Sequence, residues 1–419
     1  MRNDDFDFED DEDEPSGQNE NSDEMGFEKK IKTEVDIFSS KTVDLPGIPK
    51  QEKIKKYLVS DETSIVVTES NHLYRWRKRK EPAFVQCELP DPRGENIMGM
   101  LRGKDKQATI TNAYLDPKGF HCLLSTDAKQ HCYINYRDTK VRSLPKIKNY
   151  NIKCMAFYRP ENDQTTGEIV LAHENGAVSL YSIDFSKEEV VEVIDQSIVQ
   201  LPATSDIQSI EIYRLQQNPN VGGKQLITIF TTNNSLFCMT GPDDMKLLLQ
   251  KFEDRNERVK EVPMPRGYSS MGHTCYNKYT RRPSSYLWTN GNTLLAFRIP
   301  EKHERITDNF LSKSEAYKYA KRTDLEDRLA YSVQEMPLNI AMTDFHYYVL
   351  HQDTLTIISR ITQRVVKAVD YRGSSFVDMC YERNAAILWV YSSTAVTKID
   401  TSKEDAEVWK LLIEKKKFK

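Results

Sequence analysis

The sequence predicts an all-β fold, a seven-bladed WD40-like β-propeller with short helical insertions. Three observations predict it. From Ile31 onward, short runs rich in β-branched and aromatic residues alternate with polar ones, the period-two pattern of strands. Asn, Asp and Gly punctuate the runs as turns. The runs also recur in small groups, and seven such groups fit between about residues 55 and 400 at the roughly 40–45 residues per blade of a propeller. Stacked sandwiches would need linkers rich in Pro, Gly or Ser, and this span has none, whereas radial wrapping protects the sheet edges.

The 419 residues hold 63 acidic and 59 basic side chains, a formal net charge of −4. The balance is uneven: residues 1–24 carry twelve Asp or Glu and one Arg, a net of −11, so residues 25–419 carry +7. Like charges that repel, with almost no apolar side chain to offset the ordering entropy, predict a disordered acidic tail over 1–30. That tail reads as a solubilising leader or as an arm for a partner. The propeller is expected over 31–400. EVDIFSSKTVDL (34–45) alternates, precedes the first unit, and is expected to pair into the last blade and close the ring.

The first unit reads SIVVTES, HLYRWRK and AFVQCEL. The second, from Ile110 to Ile147, is the clearest: ITNAYLD, a Pro-Lys-Gly turn, FHCLLST, HCYINY and KVRSLPKI. The third has IKCMAFY, EIVLAHE, AVSLYSID and EEVVEVID. Its Asn175-Gly176 is expected to form a type I′ hairpin turn, because both residue types tolerate positive φ. IQSIEIY, KQLITIFTT and LFCMT make the fourth unit, and SSYLWT and TLLAFRI the fifth. LNIAMTD, HYYVLHQ, LTIISRI and RVVKAVDY make the sixth; SFVDMCYE, AAILWVYSS and AVTKID make the last. Two helical insertions take up the excess length. In DDMKLLLQKFEDR, Met245, Leu248, Leu249 and Phe252 fall at i, i+3, i+4 and i+7 on one helix face; the second insertion is expected within about 301–330.

After Asp400 the pattern switches. Thr401-Ser402-Lys403-Glu404 has capping-box spacing, and a helix is expected to follow with Val408, Trp409, Leu411 and Leu412 as its apolar positions. A lone helix here docks on the propeller base or begins a helical array.

The chemistry-bearing residues are few. Seven cysteines (87, 122, 132, 154, 238, 275 and 380) are odd in number and widely spaced, and read as reduced core residues. No phosphate-binding loop, nucleophile elbow, zincin helix or kinase signature occurs. His121-Cys122 and His131-Cys132 lie on adjacent strands of one hairpin. Neighbouring strand residues point to opposite faces, so at most two ligands converge where zinc wants three or four. They read as core cysteines with flanking histidines. Asp116, Asp127, Asp138, Asp344 and Asp353 sit in turns, where Asp bonds nearby backbone N–H groups. The expectation is a protein without enzymatic activity, cofactor or metal.

One charge cluster stands out. Arg75, Arg77, Lys78, Arg79 and Lys80, in RWRKRK, are candidate contacts for an anionic surface, and otherwise read as a solvated loop. Aromatic interleaving is limited to Trp76, so nucleic acid is not expected as a partner. No stretch approaches the roughly 18 apolar residues of a membrane span, and the first residues are acidic where a signal peptide is basic, so the chain is expected in the cytosol or nucleus.

The ordered motifs resemble the N-terminal half of the deep-orange family of vacuolar protein sorting proteins, the class C subunit numbered 18. The matching stretches are EVDIFSSKTVDL (34–45), YLDPKGFHCLLS (114–125), KVRSLPKIKNYNIKCMAF (140–157) and GEIVLAHENGAVSLYSIDF (167–185). MTDFHYYVLHQDTLTIISRITQRVV (342–366) and EDAEVWKLLIEKKKF (404–418) complete the series. The resemblance implies an N-terminal propeller followed by an α-solenoid, with 401–419 as the first helix of a truncated solenoid and Val408, Trp409 and Leu412 as its packing residues. It further implies a core subunit of the HOPS and CORVET tethering complexes, acting with other class C subunits, Rab GTPases and SNAREs, peripheral on late endosome, lysosome or vacuole membranes. The alternative is a cytosolic or nuclear propeller scaffold whose acidic tail binds basic partners such as histones.

Overall fold

The computed structural model describes residues 37–414 apart from 62, 89–101, 104–105, 108, 159–161, 186–188, 202–205, 216–224, 233–234, 254–258, 264–269, 281, 291–292, 300–313, 319–335, 371–374, 383–384 and 407. The acidic tail expected over 1–30 lies outside these residues, as does the start of the segment expected to close the ring.

Seven four-stranded antiparallel sheets form seven blades. Blade 1 contains Ile54–Val59, Thr63–Thr68, Leu73–Arg77 and Val85–Gln86; blade 2 Ile110–Leu115, His121–Thr126, His131–Asn135 and Arg142–Ser143. Blade 3 contains Ile152–Tyr158, Thr165–His173, Ala177–Asp184 and Val191–Gln200; blade 4 Ile207–Arg214, Gln225–Thr232, Ser235–Pro242 and Val259–Pro263. Blade 5 contains Gly272–Tyr276, Pro283–Asn290, Thr293–Arg298 and Ser314–Lys318; blade 6 Asn339–Met342, His346–Leu350, Thr354–Ser359 and Val365–Asp370. Blade 7 is built from Phe376–Glu382, Ile387–Ser392 and Val396–Asp400, and its fourth strand comes from the other end of the chain: Ser39–Val43 pairs antiparallel with Val396–Asp400, Ser39 opposite Asp400 and Val43 opposite Val396. The ring therefore closes as the alternation over 34–45 predicts. The first strands of blades 1 and 2, 3 and 4, 5 and 6, and 6 and 7 abut, and so do those of blades 7 and 1.

The described core divides into seven clusters, one at each blade interface. The reason is visible in His121–Thr126, buried along its whole length. Cys122 and Leu124 face blade 1, whereas Leu123 faces blade 3. A middle strand buried on both faces reads as a continuous apolar run, not as strict alternation. The Pro117-Lys118-Gly119 turn forms as expected: Gly119 takes φ 81°, its N–H bonds Asp116 O at 2.9 Å, and a Cβ there would collide with the Ser60 side chain.

Four details differ from the sequence reading. Blade 1 begins earlier, at Ile54, because the two consecutive lysines of IKKYLV obscure its pattern. The turn around Asn175-Gly176 is a short 3₁₀ segment, Glu174–Gly176, followed by a return at Ala177, not a two-residue type I′ turn. The first helical insertion is present as α1, Met245–Glu253, capped by Asp244 Oδ1 on the Leu247 N–H at 2.9 Å, with Met245, Leu248 and Leu249 buried at the blade 3–4 interface. The described part of the second is a strand, Ser314–Lys318, which completes blade 5 by pairing with Thr293–Arg298. The C-terminal helix, α2, is Val408–Glu414 and does not start at the capping-box spacing.

Candidate interaction site

The cation run sits where the third strand of blade 1 ends. Arg75 is buried; its Nη1 donates to Tyr136 O at 2.5 Å and Asp138 O at 2.6 Å in blade 2, and its Nη2 donates to Glu81 Oε1 at 2.6 Å. Arg77 Nε shares Glu81 Oε1 at 2.7 Å. Lys78 Nζ donates to Ser60 O at 2.6 Å and pairs with buried Glu382 of blade 7, which also accepts from Trp389 Nε1 at 2.8 Å. Lys80 lies over the Tyr136 ring, 5.7 Å from its centroid. The run thus straps blade 1 to both neighbours, and the five cations do not form one solvent-facing patch. The sequence signal that could have shown this is Glu81, which closes the run and takes Arg75 and Arg77.

A second constellation begins where the propeller ends. Thr401 is not a helix cap: its N–H and Oγ1 both donate to Ala386 O, at 3.0 and 2.7 Å. Glu404 is buried and accepts from Thr343 Oγ1 and from His346 Nδ1, the latter at 3.1 Å, both in blade 6. The spacing that suggests a capping box instead inserts a carboxylate into the ring. Asp405 accepts from Lys278 Nζ at 2.9 Å and Tyr279 OH at 2.8 Å in blade 5, and Lys278 Nζ also reaches Ser402 O at 2.6 Å. The Lys278 bond holds the Asp405 carboxyl below its ordinary range. Residues 401–405 therefore form a strap crossing blades 7, 6 and 5. The other chain end meets the same histidine: the Phe38 ring stands edge-on to His346 with centroids 4.9 Å apart.

The strap delivers α2. Trp409 and Ile413, four apart, are each 54% exposed, whereas Val408 and Leu412 are half-buried. Of the three packing positions drawn from the sequence, Trp409 is the open one, and Ile413 joins it.

The His–Cys hairpin resolves into two kinds of residue. Cys122 and Cys132 lie in the blade 1–2 core. His121 bonds the Tyr133 hydroxyl and Asn162 O, each at 2.8 Å, and His131 bonds Ser125 Oγ at 2.9 Å and Tyr150 O at 3.0 Å. Among the described residues no group of three His, Cys, Asp or Glu converges on a metal-binding geometry. Turn acids behave as read: Asp116 accepts from the Lys118 and His121 N–H groups, and Asp127 from the Thr109 N–H. Among the described residues no helix is long and apolar enough to cross a membrane.

A ring closed by its own N-terminal strand, strapped on one face and passing the chain to a helix with exposed apolar positions, defines a seven-bladed propeller domain. The chain belongs to the Pep3/Vps18/deep orange beta-propeller domain family, whose model matches residues 36–401, the whole of the ring. It is similar to the vacuolar protein sorting-associated protein 18 homolog of Danio rerio, 22% identical over 402 residues, covering 93% of this chain and 38% of that protein. It is also similar to the protein of the same name from Caenorhabditis elegans, 18% identical over 356 residues, covering 76% of this chain and 34% of the relative. The chain thus spans little more than a third of the length of these relatives. Among solved structures, it is similar to the β-propeller domain of Myceliophteria thermophila Cps50 (Swd1), with TM-score 0.49, 11% identity, and 85% and 98% of the two chains covered.

Proposed function

We propose that this chain is the propeller of a class C vacuolar protein sorting tethering subunit, a non-enzymatic interaction module acting in endosome-to-lysosome or vacuole tethering and SNARE-mediated fusion. The observation that carries the reading is the family match over 36–401, which spans every blade and the closing strand. Its partners are the other class C tethering subunits, with Rab GTPases and SNAREs engaged through the complex, and its location is peripheral, on late endosome, lysosome or vacuole membranes. The strap and α2 support a division of labour. The ring offers rigid rims, and Val408, Trp409, Leu412 and Ile413 form the first packing layer of a helical array, the start of an α-solenoid.

Affinity purification of the tagged chain from cells tests this reading. Co-recovery of other class C subunits is expected, and its reduction by Trp409→Ser with Ile413→Ser. Recovery of histones or RNA-binding proteins in their place would refute it.

A further inference from the structure

The first strands share an irregularity that singles out one end of the axial channel. In blades 1, 2, 3, 4 and 7 the register slips at the second residue, leaving Lys55, Thr111, Lys153, Gln208 and Val377 as the extra residues of β-bulges. A bulge re-aims a side chain that the pleat would otherwise fix. Here five first strands carry a bulge at the same position; two of the extra residues are lysines, and Lys55, Thr111 and Val377 line one cavity at the channel mouth. Because of the bulge, consecutive Lys55 and Lys56 both line one cavity of about 150 Å³, together with Thr111, Val377, Asp378 and Tyr391.

The charges in this cavity are unevenly satisfied. Lys56 has three donors, and its hydrogen bond, to Asn112 Oδ1, is a long 3.5 Å contact; the face of Tyr114 lies 5.9 Å away. Lys55 has no hydrogen-bond or ion-pair partner among the described residues. The Asp378 carboxylate accepts on Oδ1 from Asn339 Nδ2 at 2.6 Å and from the Met379 N–H at 2.8 Å, and its charge also acts on Lys56, leaving two lysines to one carboxylate in the cavity. Lys153, the other bulge lysine, is paired with Asp206 at 2.9 Å. Burial disfavours the charged form of Lys56, and Asp378 in the same cavity offsets part of that cost.

We propose that this mouth is a binding pocket for the carboxylate side chain of an acidic peptide segment of a partner protein. Lys55 and Lys56 supply donors, and Val377 and Tyr391 supply apolar wall for the methylenes. The volume is well below the ~300–1,000 Å³ of a small-molecule site, which fits one inserted side chain and excludes a nucleotide. Asp378 beside the lysines favours a monoanion over a doubly charged phosphate. The mouth lies at the end of blade 7 marked by the 393–395 turn, where Ser393 O bonds the Ile54 N–H. The strap leaves from the opposite end, at Ala386, so α2 leaves this face uncovered. The inference goes beyond the tethering role and stands on the cavity.

The test uses the 419-residue chain and a fluorescein-labelled peptide of consecutive glutamates, with the matching glutamine peptide and inorganic phosphate as comparison arms. Saturable anisotropy is expected with the glutamate peptide and not with the glutamine one. Lys56→Met, and Val377→Glu, which places a carboxylate on the exposed rim without disturbing the core, should each weaken binding about tenfold or more. Lys80→Glu on the other face should leave it unchanged. Absence of saturable binding, binding indifferent to both mouth variants, or displacement by phosphate at matched charge would overturn the proposal, the last by marking a free-anion site.

Discussion

Replacing Glu404 with Ala should release the strap from the ring without opening the ring. The buried carboxylate holds Thr343 Oγ1 and His346 Nδ1; its removal takes the acceptor from His346 Nδ1 and leaves Thr343 Oγ1 with a long 3.4 Å bond to His346 O. A charge-assisted, buried interaction of this kind is worth about 2–4 kcal/mol, most of it the cost of leaving buried donors unpaired. The blades keep their own interface cores, so the loss falls on the local opening of 401–408 and not on global unfolding. At about 1.4 kcal/mol per decade, amide exchange there should accelerate roughly 30- to 700-fold. Hydrogen exchange read by mass spectrometry reports this on the Glu404, Ala406 and Val408 amides, which bond back to Thr401, Lys403 and Asp405. Amides of the Ile387–Ser392 strand serve as the internal reference. Unchanged exchange in the strap, or equal acceleration in the reference strand, would refute the reasoning.

Two further outcomes follow from the same geometry. Arg75→Ala and Lys78→Ala should each destabilise the ring by about 3–5 kcal/mol, because each leaves buried partners behind, whereas Lys80→Ala should stay within about 0.5 kcal/mol in urea denaturation; three equal effects would restore the surface-patch reading. His173, bonded to Ser179 Oγ at 2.6 Å and near the Tyr150 ring, is pushed by burial from its ordinary 6.5 down to about 4. The unfolded chain therefore takes up that proton first, and stability falls by about 2–3 kcal/mol as pH drops from 6.5 through 4. His173→Gln should flatten that part of the stability profile measured by denaturant titration, and a mutant profile parallel to that of the parent would contradict the assignment.

The strand grammar was legible because each blade is a local object, made of short runs joined by turns whose residue types name them. The closing strand was legible for the same reason, since the segment 34–45 alternates and its Ser39–Val43 part needs only an open edge. Where reading failed, the cause was also local. IKKYLV hid the first strand because its bulge puts two adjacent lysines on one cavity, and the Thr401–Glu404 spacing fits a helix cap as well as it fits a plug.

What the sequence determined was the number of sheets and the ring they close, because apolar periodicity and turn chemistry act over a few residues. Tertiary structure decided what each charge does. Lys78 meets Glu382 from 304 positions away, and Glu404 reaches His346 across 58. The same side chains in a solvated loop would be surface charge. Coulomb and hydrogen-bond energies depend on separation and burial in space, and only the closed ring sets those.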